Sequence, residues 1–150
     1  MELKIHIPMD DKYVTLLGKA VYSFSYYEWT IIYIINHFNN SFVSRYCREK
    51  TLTSGQVLKE FEKATENNND TKLLKCKNDF SGLIDERNAL IHGHPCTSGN
   101  GKQVLNYQSS TEKIIHDLLW DFDKVIDFIY KVDKAEIEAV RVLDSFRQKK

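Results

Sequence analysis

A long helical repeat near the N-terminus constrains the fold of this chain more than any other feature. From about Asp11 to Phe38, apolar side chains recur at alternating steps of three and four residues, the spacing of one face of an α-helix. The repeating side chains are Leu17, Val21, Phe24, Ile31, Ile35 and Phe38. One position of the repeat holds Glu28 instead. Because an unpaired buried charge costs several kcal/mol, this carboxylate needs a cation or hydrogen-bond donors beside it.

The middle of the chain also favours helices. A chain of 150 residues can form one core. Its six glycines and two prolines are too few for the many tight turns that a many-stranded sheet needs. Thr53 or Ser54 is a candidate N-cap of a short helix, and a second apolar stripe leads to a helix end at Gly93. This stripe consists of Leu73, Cys76, Phe80 and Leu83. We predict a single all-α domain over residues 1–150, an up-down bundle of four to five helices with a short loop or hairpin insertion near residues 94–109.

The C-terminal part carries two helix-start patterns. Ser109 with Glu112 matches a capping box, and the helix it opens would carry apolar residues at helical spacing. These include Ile115, Leu118 and Phe122. Asp133 with Glu136 repeats the pattern, so the final helix is either separate or continuous with the one before it.

Charge and cysteine usage restrict the setting of the protein. Lysine and arginine total 21, as do aspartate and glutamate, so no net positive field points to a nucleic acid. The segment from Ser41 to Lys50 interleaves basic and aromatic residues, which makes Arg45 and Arg48 candidate RNA contacts, although an ordinary solvated connection has the same composition. No signal peptide or membrane span is expected, and the three widely spaced cysteines are typical of reduced thiols. We therefore expect a cytoplasmic protein without a membrane partner.

A basic residue interrupts the second apolar stripe as Glu28 interrupts the first. The next position of that stripe is Arg87, so the two most regular helical faces each carry one charge of opposite sign. We predict that the two helices pack together and that Glu28 and Arg87 meet at the contact between the helices. A purely structural buried ion pair would produce the same pattern.

The sequence around Arg87 adds a functional prediction. The run Asp85-Glu86-Arg87-Asn88-Ala89-Leu90-Ile91-His92-Gly93 resembles the motif of the HEPN superfamily of small helical domains, which has an arginine, a polar residue and a histidine after a gap of four to six. The resemblance implies a metal-independent endoribonuclease of toxin or phage-defence type, without a cofactor, whose site lies in a homodimer cleft. It implies that Arg87 binds phosphate, that His92 is the general acid or base and that Asn88 orients or hydrogen-bonds. The implied products carry 2′,3′-cyclic phosphate and 5′-hydroxyl ends.

The chemistry of these residue types suits this prediction. An imidazole can take a proton from a 2′-hydroxyl and return one to a leaving oxygen near neutral pH, and a guanidinium can hold two phosphate oxygens. In a regular helix, residues five apart differ by about 140° in direction, so Arg87 and His92 share a face only if the last turn unwinds or if two chains build the site.

The first helix carries aromatic residues on more sides than one contact with the core would bury, which favours a homodimer. The surplus residues are Tyr22, Tyr26, Trp29 and Tyr33.

Alternatives remain at three points. Some toxins of the family carry a tyrosine two residues after the histidine, as a target for modification by an antitoxin; here that residue is His94, which we consider another candidate RNA contact. Other members of the family are non-catalytic modules that bind RNA or nucleotides or act as scaffolds. His92, His94 and Cys96 could be read as metal ligands, but Pro95 lies among them and no fourth ligand is evident.

Overall fold

The computed structural model describes residues 5–49, 52–109 and 117–148. In these residues the chain forms helices α1 (Asp11–Phe38), α2 (Phe42–Arg48), α3 (Ser54–Thr65), α4 (Thr71–Ile91) and α5 (Phe122–Gln148). Strands β1 (His94–Thr97), β2 (Gln103–Gln108) and β3 (Asp117–Trp120) lie between α4 and α5. The prediction of a mostly helical domain is confirmed, but the all-α class is not complete, because three strands form a small sheet.

Side-chain caps fix where the helices begin. The Asp10 carboxylate accepts hydrogen bonds from two backbone N–H groups in the first turn of α1, and Asp70 does the same at the start of α4. At α3, Thr53 and Gln56 form a reciprocal capping box. Of the two predicted caps for this helix, Thr53 is therefore the correct one. Ser54 becomes the first helical residue and is buried.

The long helices α1 and α5 lie side by side and run in the same direction. The Tyr13 ring packs on Phe122 at the start of both helices, with centroids 5.1 Å apart, and His37 stacks on Phe146 near their ends at 4.3 Å. The predicted up-down order, in which neighbouring helices alternate in direction, is therefore wrong for this pair. The sheet that connects α4 to α5 lies beside the first residues of α1. Helix α5 therefore begins at the same end of the molecule as α1 and runs in the same direction.

The buried face of α1 is rotated from the predicted stripe. Phe24, Ile31 and Ile35 are buried as predicted, but Val21 and Phe38 are 44% and 38% exposed. The core is instead completed by Ala20, Tyr27 and Ile34, all fully buried. This helix is apolar around most of its circumference, so periodicity alone did not select the face. Packing on α4 and α5 selects the buried face. For example, the edge of the Tyr27 ring packs on the Phe80 ring of α4, with the two ring centroids 5.7 Å apart.

The sheet is antiparallel, in the order β1-β2-β3. The hairpin of β1 and β2 falls in the predicted insertion, whereas β3 was not predicted. Leu118 lies in β3, so the expected helix is wrong there; Glu112 and Ile115 lie outside the described residues. The Tyr13 hydroxyl donates to the Trp120 carbonyl and accepts from the Leu105 N–H. It thereby ties α1 to paired residues of β2 and β3.

Helix α5 is continuous through Asp133 and Glu136, so the second of the two predicted alternatives is correct. Glu136 instead faces α1, where its Oε1 accepts a hydrogen bond of 2.8 Å from the Thr30 hydroxyl. Its Oε2 is buried without a partner in the described part of the chain. Burial raises the pKa of Glu136 to about 7, the Thr30 hydrogen bond lowers it in part and Asp133 raises it further.

Glu136→Gln is expected to flatten the dependence of stability on pH. The folded protein holds the Glu136 proton more tightly than the unfolded chain, whose carboxyl titrates near 4.5. The free energy of unfolding should therefore fall as the pH rises from about 4.5 through about 7. Glutamine still accepts from Thr30 but carries no charge, so the variant should gain roughly 1 to 2 kcal/mol over the wild type at pH 8 and nothing at pH 4.5. Urea denaturation at both pH values measures this, and an equal effect at both would contradict it.

Candidate functional site

Glu28 and Arg87 come together where α1, α3 and α4 meet, with Ser54 between them. Arg87 donates from Nη2 to the Ser54 hydroxyl and from Nη1 to Asn88 Oδ1 at 2.9 Å. Its guanidinium carbon lies 5.1 Å from the centroid of the Phe24 ring, a cation–π contact. Glu28 and Arg87 interact electrostatically but do not form a direct ion pair among the described contacts. The guanidinium plane is therefore fixed from three sides.

The Glu28 carboxyl is the least satisfied group of this cluster. Its Oε1 is buried and has no hydrogen-bond partner within the described residues. Burial raises the pKa of Glu28 above its ordinary value, and the Ser54 hydroxyl and the Arg87 guanidinium offset this rise only in part. The position of Arg87 therefore stabilises a carboxylate that would otherwise be buried without a nearby cation.

Two further residues belong to the cluster and were not predicted as site residues. Ser54 lies on the buried face of α3, whose members follow helical spacing and could have shown that its side chain points inward. That face consists of Ser54, Val57, Phe61 and Thr65. Burial raises the pKa of Tyr46, Glu28 raises it further and Arg87 lowers it, so this α2 side chain faces the same pair. No local spacing indicates that contact, because it depends on how α2 packs on α1.

His92 follows the last residue of α4 and leaves the helix in a different direction from Arg87. Helix α4 is regular to Ile91, and the His92 N–H still donates to the Asn88 carbonyl at 3.0 Å. The last turn does not unwind, so the two side chains leave the helix about 140° apart. The His92 ring is exposed. Arg87 is thus hydrogen-bonded to Asn88, and no described contact joins the His92 ring to either residue.

Gly93 serves a different purpose from the expected helix cap. Its φ is not positive, so no left-handed residue ends α4. A Cβ at this position would lie 3.1 Å from the Leu105 Cβ and 3.2 Å from the Leu90 carbonyl oxygen. The glycine therefore lets the end of α4 approach β2 closely, and this contact holds the strand beside the helix end that carries His92.

The candidate RNA contacts lie on two elements, Arg45 and Arg48 on α2 and His94 on β1. The segment holding Arg45 and Arg48 is helix α2 rather than a solvated connection. Arg45 forms an ion pair of 2.9 Å with Glu60 and lies over the Phe42 ring, whereas Arg48 is exposed. Arg45 and Arg48 are three residues apart and are therefore neighbours on the surface of α2. His94 is exposed in β1 opposite Asn106.

The outer face of α1 is strongly aromatic. Tyr22 and Tyr26 are 72% and 59% exposed, and Trp29 and Tyr33 are more than one-third exposed. These four rings follow steps of four, three and four residues, so they line one side of the helix. A continuous exposed aromatic face of this kind is typical of a protein–protein interface.

Neither the geometry of a metal-ligand cluster nor that of a membrane-spanning helix is present in the described residues. No group of three or more histidine, cysteine, aspartate or glutamate side chains is arranged there to hold a metal ion, and the three cysteines are free. No described helix has the length and apolar character needed to cross a bilayer. No protein-family model, curated protein or solved structure matches the chain. The motif around Arg87 and the contacts of the residues near it are therefore what indicates a function.

Proposed function

We propose that this protein is a metal-independent endoribonuclease, with Arg87, Asn88 and His92 as its catalytic residues. The observation that carries the proposal is the end of α4, where a guanidinium fixed by Asn88 and Ser54 precedes an exposed imidazole by five residues. This arrangement occurs in a mostly helical domain whose local sequence resembles the HEPN motif. The proposed setting is the cytoplasm, where an antitoxin or another defence protein would control the activity.

The proposed reaction uses each residue for one task. As the ribose 2′-oxygen attacks the adjacent phosphorus, His92 either takes the 2′-hydroxyl proton as a base or protonates the leaving 5′-oxygen as an acid, and a water molecule makes the other proton transfer. Arg87 binds the non-bridging phosphate oxygens and stabilises the charge that develops on them. Asn88 holds the guanidinium through its Oδ1. Breaking the phosphorus–5′-oxygen bond leaves a 2′,3′-cyclic phosphate and a 5′-hydroxyl end.

The geometry favours a site shared by two chains. Because Arg87 and His92 leave α4 in different directions, the imidazole of one protomer would act beside the guanidinium of the other. The exposed aromatic face of α1 supplies a surface suited to a two-fold interface, in which the same residues of both chains meet. A homodimer is therefore part of the proposal.

One observation favours a second candidate, a non-catalytic module that binds RNA or nucleotides or acts as a scaffold. The described contacts of the Arg87 guanidinium are all internal, to Ser54, Asn88 and Phe24, as expected of a residue that stabilises the seam between helices. In this alternative His92 is a helix-terminal residue without a chemical task.

Cleavage in the presence of a chelator tests the proposal. Purified protein should cut single-stranded RNA in EDTA and leave a DNA strand of the same sequence whole, because the reaction needs the 2′-hydroxyl and no metal. Mass spectrometry of the fragments should find cyclic phosphate ends. Cutting that requires a divalent metal, or cutting of DNA, would contradict the mechanism. Binding of RNA without any cutting would favour the scaffold candidate.

A further inference from the structure

A groove of about 350 Å³ lies between α4 and α5, with charged and apolar side chains on its walls. This volume is within the range of small-molecule sites in proteins. Its floor is formed by Leu83 and Ala135, and Gly82 leaves one wall open, since a Cβ there would meet no atom within 4 Å. The small residues at positions 82 and 135 therefore leave a slot between the two helices, where Leu83 and Ala135 expose 6% and 7% of their surface.

The acidic side chains of the groove are already neutralised by neighbouring cations. Glu86 accepts hydrogen bonds from Lys124 at 3.0 Å and from Lys131 at 3.1 Å. Two further ion pairs, each between a carboxylate of the groove and a basic residue of its own helix, join Asp79 to Lys75 and Glu138 to Arg141. None of the three carboxylates is left to attract a cationic ligand.

Lys134 is the exception among the charged residues that line the groove. Its ammonium has no ion pair in the described part of the chain, whereas Lys75 and Lys131 each contact a carboxylate. Lys131 is nevertheless close enough to share an incoming anion, and the aliphatic stems of both lysines extend the apolar wall. Counted with the ion-pair partners Lys124, Asp127 and Arg141, the groove has one more basic than acidic residue, and the basic residue without a described partner is Lys134.

We propose that this groove binds a small organic anion, with a flat apolar body on Gly82, Leu83 and Ala135 and a phosphate or carboxylate at Lys134. The site is separate from the cluster of Glu28, Ser54 and Arg87, and it does not depend on the proposed ribonuclease activity. An ammonium is a suitable point charge for a phosphate monoester, and a ring system fills a slot between two helices better than a flexible chain does.

Calorimetric titration with 1-naphthyl phosphate and 1-naphthoate tests the site. At least one of these anions should bind once per chain with a Kd at or below about 1 mM. Neutral 1-naphthol and inorganic phosphate should each bind about tenfold more weakly or not at all, because each lacks one half of the recognised structure. The stronger of the two naphthyl anions identifies phosphate or carboxylate as the preferred group. Failure of both anions, or equal binding of 1-naphthol, would overturn the proposal.

Two substitutions locate the binding within the groove. Gly82→Trp should abolish binding by filling the slot, and Gly18→Trp is its control, since a Cβ at that helical glycine also meets no atom within 4 Å. Lys134→Ala should weaken binding about fivefold, whereas Lys63→Ala on the exposed side of α3 should not. Gly82→Leu replaces the tryptophan variant if circular dichroism shows that the latter is unfolded. Binding that survives both groove substitutions would overturn the proposal.

Discussion

His92→Ala is expected to slow RNA cleavage by roughly two to four orders of magnitude, because it removes the proposed proton-transfer group. The fold should be retained, since the His92 ring is exposed and its described hydrogen bond to Asn88 comes from the backbone, which alanine keeps. The affinity for RNA should also change little, because Arg87 still holds the phosphate. The measurement is single-turnover cleavage in EDTA together with a binding titration.

Two other exposed histidines make this experiment specific. His6→Ala is the control for loss of a surface imidazole and should cut RNA like the wild type. His94→Ala tests the candidate RNA contact in β1, and it should weaken binding without removing the chemical step. If His92→Ala cuts RNA at the wild-type rate, His92 is not the proton-transfer group and the proposed mechanism is contradicted.

The sequence predicts helices in this chain better than it predicts which sides of them are buried. The second stripe, from Leu73 to Leu83, is buried as predicted, because α4 has polar residues on its other sides. On α1, tyrosines and isoleucines occur around most of the circumference, so Tyr27 is core and Val21 is not. The choice is made by packing on α4 and α5, which a one-helix pattern does not contain.

Strand β3 shows a second limit of sequence reasoning. Leu118 and Phe122 are four residues apart and fit a helical repeat, yet the chain is extended at Leu118 and becomes helical only at Phe122. Trp120 is fully buried while Leu119 is exposed, and this alternation is the strand signal. Four residues are too few for it to outweigh a helical pattern. The tertiary contact from Tyr13 to the Trp120 carbonyl completes the arrangement.

For the candidate site, the sequence indicated the charged residues but not the residue between them. Glu28 and Arg87 stood out because each interrupts an apolar stripe. Ser54 did not, since a serine near a helix start is usually read as a cap, and here Thr53 is the cap. The direct ion pair expected of opposite charges is replaced by a contact through the Ser54 hydroxyl.

Arg87→Ala is expected to abolish cleavage and, unlike His92→Ala, to destabilise the fold by about 2 to 4 kcal/mol. The substitution removes the hydrogen bonds to Ser54 and Asn88 and the cation beside the buried Glu28 carboxyl. Burial raises the pKa of Glu28 and loss of Arg87 removes a group that lowers it, so the destabilisation should be smaller at acidic than at basic pH. Urea denaturation at pH 5 and pH 8 measures the difference. Glu28→Gln in the Arg87→Ala background should recover stability without recovering cleavage.

Mixing the two inactive variants then distinguishes a shared site from a site within one chain. In a mixed dimer of Arg87→Ala and His92→Ala chains, one of the two sites combines an intact guanidinium with the partner's intact imidazole. Since random exchange places half of the chains in mixed dimers, about one quarter of the wild-type cleavage should return. Light scattering must show a dimer under the same conditions. A dimer that regains no cleavage, or a monomer that cuts RNA, would contradict the shared site, because each chain would then have to bring its own His92 to its own Arg87 against the direction that α4 imposes.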